Sequence, residues 1–316
     1  MVFPPLRLGI SEAVVNAPGV IYGISAGIRV LTAPGDGVLI FEPVYFPFRS
    51  TILANKRVPV ISPLRNNNGH WEIDFDDLDR KLGDAKAILF CSPHNPVGRI
   101  WKKEELECVA KLAKKRNVGV ICDEIHSDFV FEGHHIPLAS LDGMAERTIT
   151  CTAPTKTFNM AGIKGANIII ENDDLRDKFE AEKEMTGNAD LNIFSIAATK
   201  AVYRDGDGWV DALVGYIREN YDILKEAFPE AGTDAPVTLT HPEGTYLAWL
   251  DCRGLAEHGV SDPQKFFLEE AGIRMNDGKM FGEGGDGFVR MNLGTQHDVV
   301  REAVKLMKDA ISSVIK

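Results

Sequence analysis

Three short apolar runs, each leading into a residue that can do chemistry, constrain this chain more than any other feature. Ala87–Cys91 runs into the loop Ser92-Pro93-His94-Asn95-Pro96. Residues 118–122 run into Asp123, and Thr148–Thr152 runs into the loop that carries Lys156. Short continuous apolar runs of this kind read as strands buried on both faces. Between the first two lies a segment, 103–115, whose apolar residues Leu106, Val109, Ala110 and Ala113 recur at helical spacing. Strand and helix in alternation predict an α/β fold, a mostly parallel sheet with helices on both faces. In such a sheet, ligands bind beyond the carboxyl ends of the strands. Asn95, Asp123 and Lys156 are therefore expected at one site.

The same reading extends outward. Residues 38–41 form a strand stopped by Glu42-Pro43, and residues 24–31 form a helix after Pro18-Gly19. Near Gly206-Asp207-Gly208 the pattern changes. A helix over 209–228 leads to a strand (245–250), a helix (263–271), a strand (288–293) and a closing helix (297–315). This predicts a large domain over 1–205 and a small α+β domain over 206–316. A chain of 316 residues with 44% hydrophobic content can bury a core of that size.

Bulk charge narrows the function. A formal net charge of −11 suits neither a nucleic-acid phosphate backbone nor an anionic membrane surface. No run is long enough for a membrane span. Cys91, Cys108, Cys122, Cys151 and Cys252 form no CxxC pair, so buried free thiols and a reducing cytoplasm are expected, with no metal.

An amide, a carboxylate and an amine in this order suit pyridoxal phosphate. That cofactor needs a lysine for its aldehyde and an acid for its pyridinium nitrogen. The segments Ser92-Pro93-His94-Asn95-Pro96-Val97-Gly98-Arg99, Asp123-Glu124-Ile125-His126-Ser127-Asp128 and Ala153-Pro154-Thr155-Lys156-Thr157-Phe158-Asn159 carry a resemblance. So do Pro242-Glu243-Gly244-Thr245-Tyr246-Leu247-Ala248-Trp249-Leu250-Asp251 and Asn276-Asp277-Gly278. Together they resemble the fold-type I pyridoxal-phosphate enzymes of the aminotransferase class I/II superfamily, in wording the cystathionine β-lyase type. The resemblance runs from about Gly19 to the end. It implies a seven-stranded sheet, a homodimer and an amino-acid substrate.

It also implies roles. Lys156 would hold the cofactor and move the substrate's α-proton, for which its amine must be neutral. Asp123 would face the pyridinium nitrogen; the alternative is a strand-end cap, an expensive place for a lone buried carboxylate. Asn95 would contact the ring's phenolic oxygen, or merely shape the Asn-Pro turn. His126 stands where related aminotransferases carry a tyrosine, and a cofactor contact and a structural histidine both remain open. Tyr45 would lie flat against the ring.

For the phosphate, the candidates are the Val20 and Ile21 amides at a helix amino terminus, the Thr152 and Thr155 hydroxyls, and Lys164. Lys164 replaces an arginine of the related aminotransferases and could equally be a solvated surface lysine. Arg290, between apolar strand residues, would clamp the substrate carboxylate, with a buried ion pair as the alternative.

The resemblance also has a gap. Family members carry a further stretch before the segment that begins here, which contributes to the small domain, the site entrance and the subunit interface. Its loss is expected to expose apolar surface and to weaken the dimer and the activity. The expected function is β-elimination of a sulfur amino acid to a thiol, pyruvate and ammonia. The alternatives are an aminotransferase or a non-catalytic regulatory homologue.

Overall fold

The computed structural model describes residues 10–188 and 190–315. In chain order the strands are β1 (Val14–Ala17), β2 (Gly37–Ile40), β3 (Val58–Ile61), β4 (Arg65–Asn67), β5 (His70–Glu72), β6 (Ala87–Cys91) and β7 (Gly119–Asp123). They continue with β8 (Thr148–Thr152), β9 (Ala166–Ile169), β10 (Thr238–Leu239), β11 (Leu247–Asp251), β12 (Asn276–Asp277) and β13 (Phe288–Asn292). The helices are α1 (Ile10–Ala13), α2 (Val20–Leu31), α3 (Pro47–Ala54), α4 (Phe75–Lys81) and α5 (Lys103–Arg116). After them come α6 (Asp173–Met185), α7 (Ile193–Asp205), α8 (Asp207–Ala227), α9 (Pro263–Glu270) and α10 (His297–Val314).

The main sheet has seven strands in the order β1-β9-β8-β7-β6-β2-β3. The pairs from β3 through β8 are all parallel. Strand β9 runs against both β8 and β1, so it alone is reversed. Each central strand sends alternate residues to opposite faces, as the pleat requires. In β6, Ile88 and Phe90 join a core under α4 and α5, while Ala87, Leu89 and Cys91 join a second core under α2, α3 and α6. This two-sided burial is why the strands read as unbroken apolar runs.

A second sheet, β10-β11-β13-β12, is antiparallel throughout. One face packs on α8, α9 and α10 through Leu224, Phe267, Val300 and Met307. Trp249, Phe281 and Phe288 reach the other way and join the first core beside Trp71. A buried ion pair adds to this join: Arg99 Nε donates to Glu243 Oε2 at 2.8 Å, and the Ile100 amide donates to the same oxygen at 2.7 Å.

Several elements differ from the sequence reading. Helix α2 starts at Val20, a full turn earlier than expected. Gly19 makes this possible, because its φ of 152° is open only to glycine. Strand β11 starts at Leu247, not Thr245, because Thr245 sits at φ 69° and turns the chain before the strand begins. The reversed β9 was not expected. At Gly206, between α7 and α8, an added Cβ would come 2.3 Å from the Val202 carbonyl oxygen and 2.5 Å from the Phe158 ring.

Candidate active site

The carboxyl ends of β6, β7 and β8 are adjacent, and the register sets Asp123 between Cys91 and Cys151. A cleft of about 480 Å³ opens above them. Val20, Ile21, Tyr45, Asn95, Asp123, His126, Thr155, Lys156, Lys164 and Arg290 all line it. Thr152 does not: its hydroxyl donates sideways to the Asn167 carbonyl on β9, 3.3 Å away. The expected phosphate contact from Thr152 is therefore corrected; its hydroxyl is engaged by the backbone of the neighbouring strand instead.

Asp123 is buried, and among the described residues its carboxylate accepts one hydrogen bond, from the Ile125 amide at 3.2 Å. Burial pushes its pKa up to about 7, against the pull of the Ile125 N–H and the Lys156 charge. Such a carboxylate is stabilised by any cationic donor that enters the cleft.

Lys156 is half-buried in a tight turn closed by bonds from Phe158 N to Pro154 O and from Met160 N to Thr155 O. Burial lowers its amine below the usual lysine range; Asp123 opposes this and Arg290 adds to it. A neutral amine is the form that attacks carbonyl carbon and accepts a proton.

Arg290 comes from the other sheet, in mid-strand on β13. Its Nη1 donates to Asn95 Oδ1 at 2.9 Å and its Nη2 to Asn276 Oδ1 at 2.8 Å. The guanidinium lies 4.8 Å over the Phe281 ring. Among the described residues its Nε is buried without a partner, and its guanidinium hydrogen-bonds only the two asparagine oxygens. The expected alternative, a buried ion pair, is thus absent among them. What remains is a planar cation beside the cleft with a donor to spare, which suits a carboxylate. The same contact orients Asn95. With Oδ1 engaged, the amide nitrogen is the group left to donate.

His126 is buried, and among the described residues its Nδ1 has no partner. Burial drives its pKa down to about 3, so the ring is neutral. It packs 5.4 Å from Tyr246, whose hydroxyl is pushed up to about 12 by burial. Tyr45 sits over the cleft against Phe46 and Phe48, at 5.5 and 5.9 Å. At the far end, α2 begins without a side-chain cap, which leaves first-turn amides, those of Val20 and Ile21 among them, available to an anion. Lys164, exposed at φ 53°, stands at that end too.

Tyr22, Tyr246, Asn276 and Asn292 also line the cleft and had no assigned role in the sequence reading. Asn276 is the telling omission. It faces Arg290 across the β12–β13 pair, a neighbour that only the strand register reveals.

The sequence pattern of the family described as Aminotransferase class I and II matches residues 6–306. The chain belongs to that family. Among class I and II members, it is 38% identical over 308 residues to Cystathionine beta-lyase PatB of Bacillus subtilis, covering 95% of this chain and 78% of that one. Cystalysin from Treponema denticola, whose crystal structure contains pyridoxal 5'-phosphate, superposes with a TM-score of 0.90 at 35% identity, covering 96% of this chain and 77% of that one. A pyridoxal-phosphate-bound C-S lyase from Staphylococcus hominis, complexed with L-cycloserine, superposes with a TM-score of 0.87 at 31% identity, covering 99% and 79%.

The class I and II cofactor fits these residues. Among the described residues no cation hydrogen-bonds Asp123; Asn95 offers its amide nitrogen, α2 offers uncapped amides, and Lys156 stands among them.

Proposed function

We propose that this protein is a pyridoxal-phosphate-dependent carbon–sulfur β-lyase that converts a sulfur amino acid, such as cystathionine, into a thiol, pyruvate and ammonia. The observation that carries the chemistry is the convergence of Asn95, Asp123 and Lys156 at three adjacent strand ends, facing Arg290. Similarity to lyases over nearly the whole chain supports elimination over amino transfer.

Bound there, pyridoxal phosphate supplies an aldehyde for amines and a cationic ring that withdraws charge from the α-carbon. Lys156 Nζ holds the cofactor at rest and, once released, takes the proton from the substrate's α-carbon. Arg290 holds the substrate carboxylate and so fixes which bond at that carbon faces Lys156. Asp123 keeps a proton on the ring nitrogen. Asn95 donates to the ring oxygen, and neutral His126 packs beside it. Tyr45 covers the ring face. Val20 and Ile21 amides, the Thr155 hydroxyl and Lys164 hold the phosphate. The C–S bond then breaks with its electron pair on sulfur, and water completes the release of pyruvate and ammonia.

The same reading treats residues 1–205 and 206–316 as two domains, a division supported by the junction at Gly206 and by the cluster between the second sheet and α8, α9 and α10. It makes the protein a cytoplasmic homodimer. Met185, Ile193, Phe194 and Trp209, at 77, 74, 73 and 53% exposure, support a face covered by a second copy. Among the described residues, no helix is long and apolar enough to cross a membrane.

The test uses purified protein with cofactor. Pyruvate should form from cystathionine without any added keto acid, and borohydride should fix the cofactor to the peptide containing Lys156. Dependence on a keto acid would identify an aminotransferase instead, and a labelled peptide without Lys156 would overturn the site.

A further inference from the structure

Thr157 follows Lys156 directly, is 1% exposed and does not line the cleft. Its hydroxyl donates to Asp128 Oδ2 at 2.6 Å, the short distance of a charge-assisted bond. Asp128 lies five positions after Asp123, within the turn closed by the bond from Phe129 N to His126 O at 2.9 Å. One bond therefore joins the loop after β7, which carries Asp123 and His126, to the loop after β8, which carries Lys156. On the other side, Trp209 Nε1 donates to the Thr157 carbonyl at 3.0 Å, from the first turn of α8. Phe158 is pressed against Gly206. Thr157 is thus held from two directions by side chains that touch neither the cleft nor each other's loops.

We infer that Thr157 and Asp128 are positioning residues that fix where Lys156 Nζ stands relative to Asp123 and the α-carbon of a bound substrate; this rests on the reading that Lys156 carries the cofactor. The backbone bond from Glu124 N to Cys151 O, at 2.9 Å, ties these two loops at their roots, five residues before Lys156. The Lys156 turn is closed by its own backbone bonds and anchored on the α8 side by Trp209, which leaves it free to tilt toward or away from the Asp123 loop. The Thr157–Asp128 bond removes that freedom. An error of about 1 Å in a reacting group costs on the order of 100-fold in rate, so a fixed separation has kinetic value.

The experiment compares the cofactor-loaded wild type with Thr157→Val, Thr157→Ser and Asp128→Asn. Valine keeps the shape and removes the donor; serine keeps the donor. Three readouts are taken: kcat and KM for pyruvate formation, the pH midpoint of the visible absorbance of the lysine-bound cofactor, and the melting temperature. Thr157→Val should lower kcat by roughly 10- to 100-fold with KM nearly unchanged and should move the pH midpoint. Thr157→Ser should recover most of both, and Asp128→Asn should fall between. Overturning results are a wild-type kcat and midpoint in Thr157→Val, or a change confined to melting temperature. A wild type in which borohydride labels another lysine would sink the underlying reading first, and this inference with it.

Discussion

The two sheets contribute to the site in different ways. The large sheet delivers Asn95, Asp123 and Lys156 from the ends of β6, β7 and β8, where parallel packing brings consecutive loops to one edge. The small sheet delivers Arg290 from the middle of β13, held by cross-strand Asn276 and by Asn95 from the other sheet. The first group depends on topology alone. The second depends on register and on how the two sheets meet. Chemistry at the ring should therefore answer to the first sheet, and recognition of the substrate to the second.

The sharpest way to break that comparison is Asp123→Asn. The shape survives, but the cofactor nitrogen loses its counter-charge. Turnover should fall by about 100-fold or more, the scale of a lost preorganised electrostatic partner, with a smaller change in KM. A variant with wild-type kcat would show that the large sheet does not govern the ring. Arg290→Lys comes next. It keeps the charge and loses the planar fork, so kcat/KM should fall by roughly 10-fold, carried mainly by KM. If kcat carried the loss instead, the division between chemistry and recognition would be wrong.

The smallest effect is on stability without cofactor. Burial raises the folded Asp123 pKa to about 7 from 3.8, so the unfolded chain releases this proton first as pH rises. The contribution of this group to stability is therefore lost between about pH 4 and 7 and stays lost above that. His126 acts oppositely, since its folded pKa is lowered to about 3 from 6.5. Its contribution is present above pH 6.5 and is lost as pH falls toward 3. In the wild type the two partly cancel. In Asp123→Asn only the His126 slope remains, so the variant's melting temperature should gain on the wild type by roughly a few °C between pH 4.5 and 7.5. Parallel melting curves would mean that Asp123 is already compensated in the folded protein.

Legibility in the sequence followed the same divide. Strands β6 and β8 lie where the apolar runs placed them, and β7 is offset by one residue, because burial on both faces leaves an uninterrupted signal. The helical spacing of Leu106, Val109, Ala110 and Ala113 marks the buried face of α5. The gathering of Asn95, Asp123 and Lys156 follows from those strands. Elsewhere local pattern was insufficient. The start of α2 depends on a glycine-only φ at Gly19. Thr152 was misplaced because its hydroxyl is engaged by the backbone of the neighbouring strand, which its position in a motif does not give. Asn276 was passed over because its partner, Arg290, lies across a strand pair.

One feature of the large sheet bears on how the chain is made. Strand β1 leaves the ribosome well before β9, its partner among the described residues, with Val14 opposite Ile169. At a synthesis rate of about 5–20 residues per second, β1 waits roughly 7 to 30 seconds for that partner. During that interval its hydrogen-bonding edge is open, and α2, which packs on β9 and lines one end of the cleft, has no complete floor beneath it. Nascent chains halted before residue 166 should therefore be the species that chaperones hold and that aggregate when chaperones are scarce. The cofactor has no finished site to bind until the reversed strand is in place.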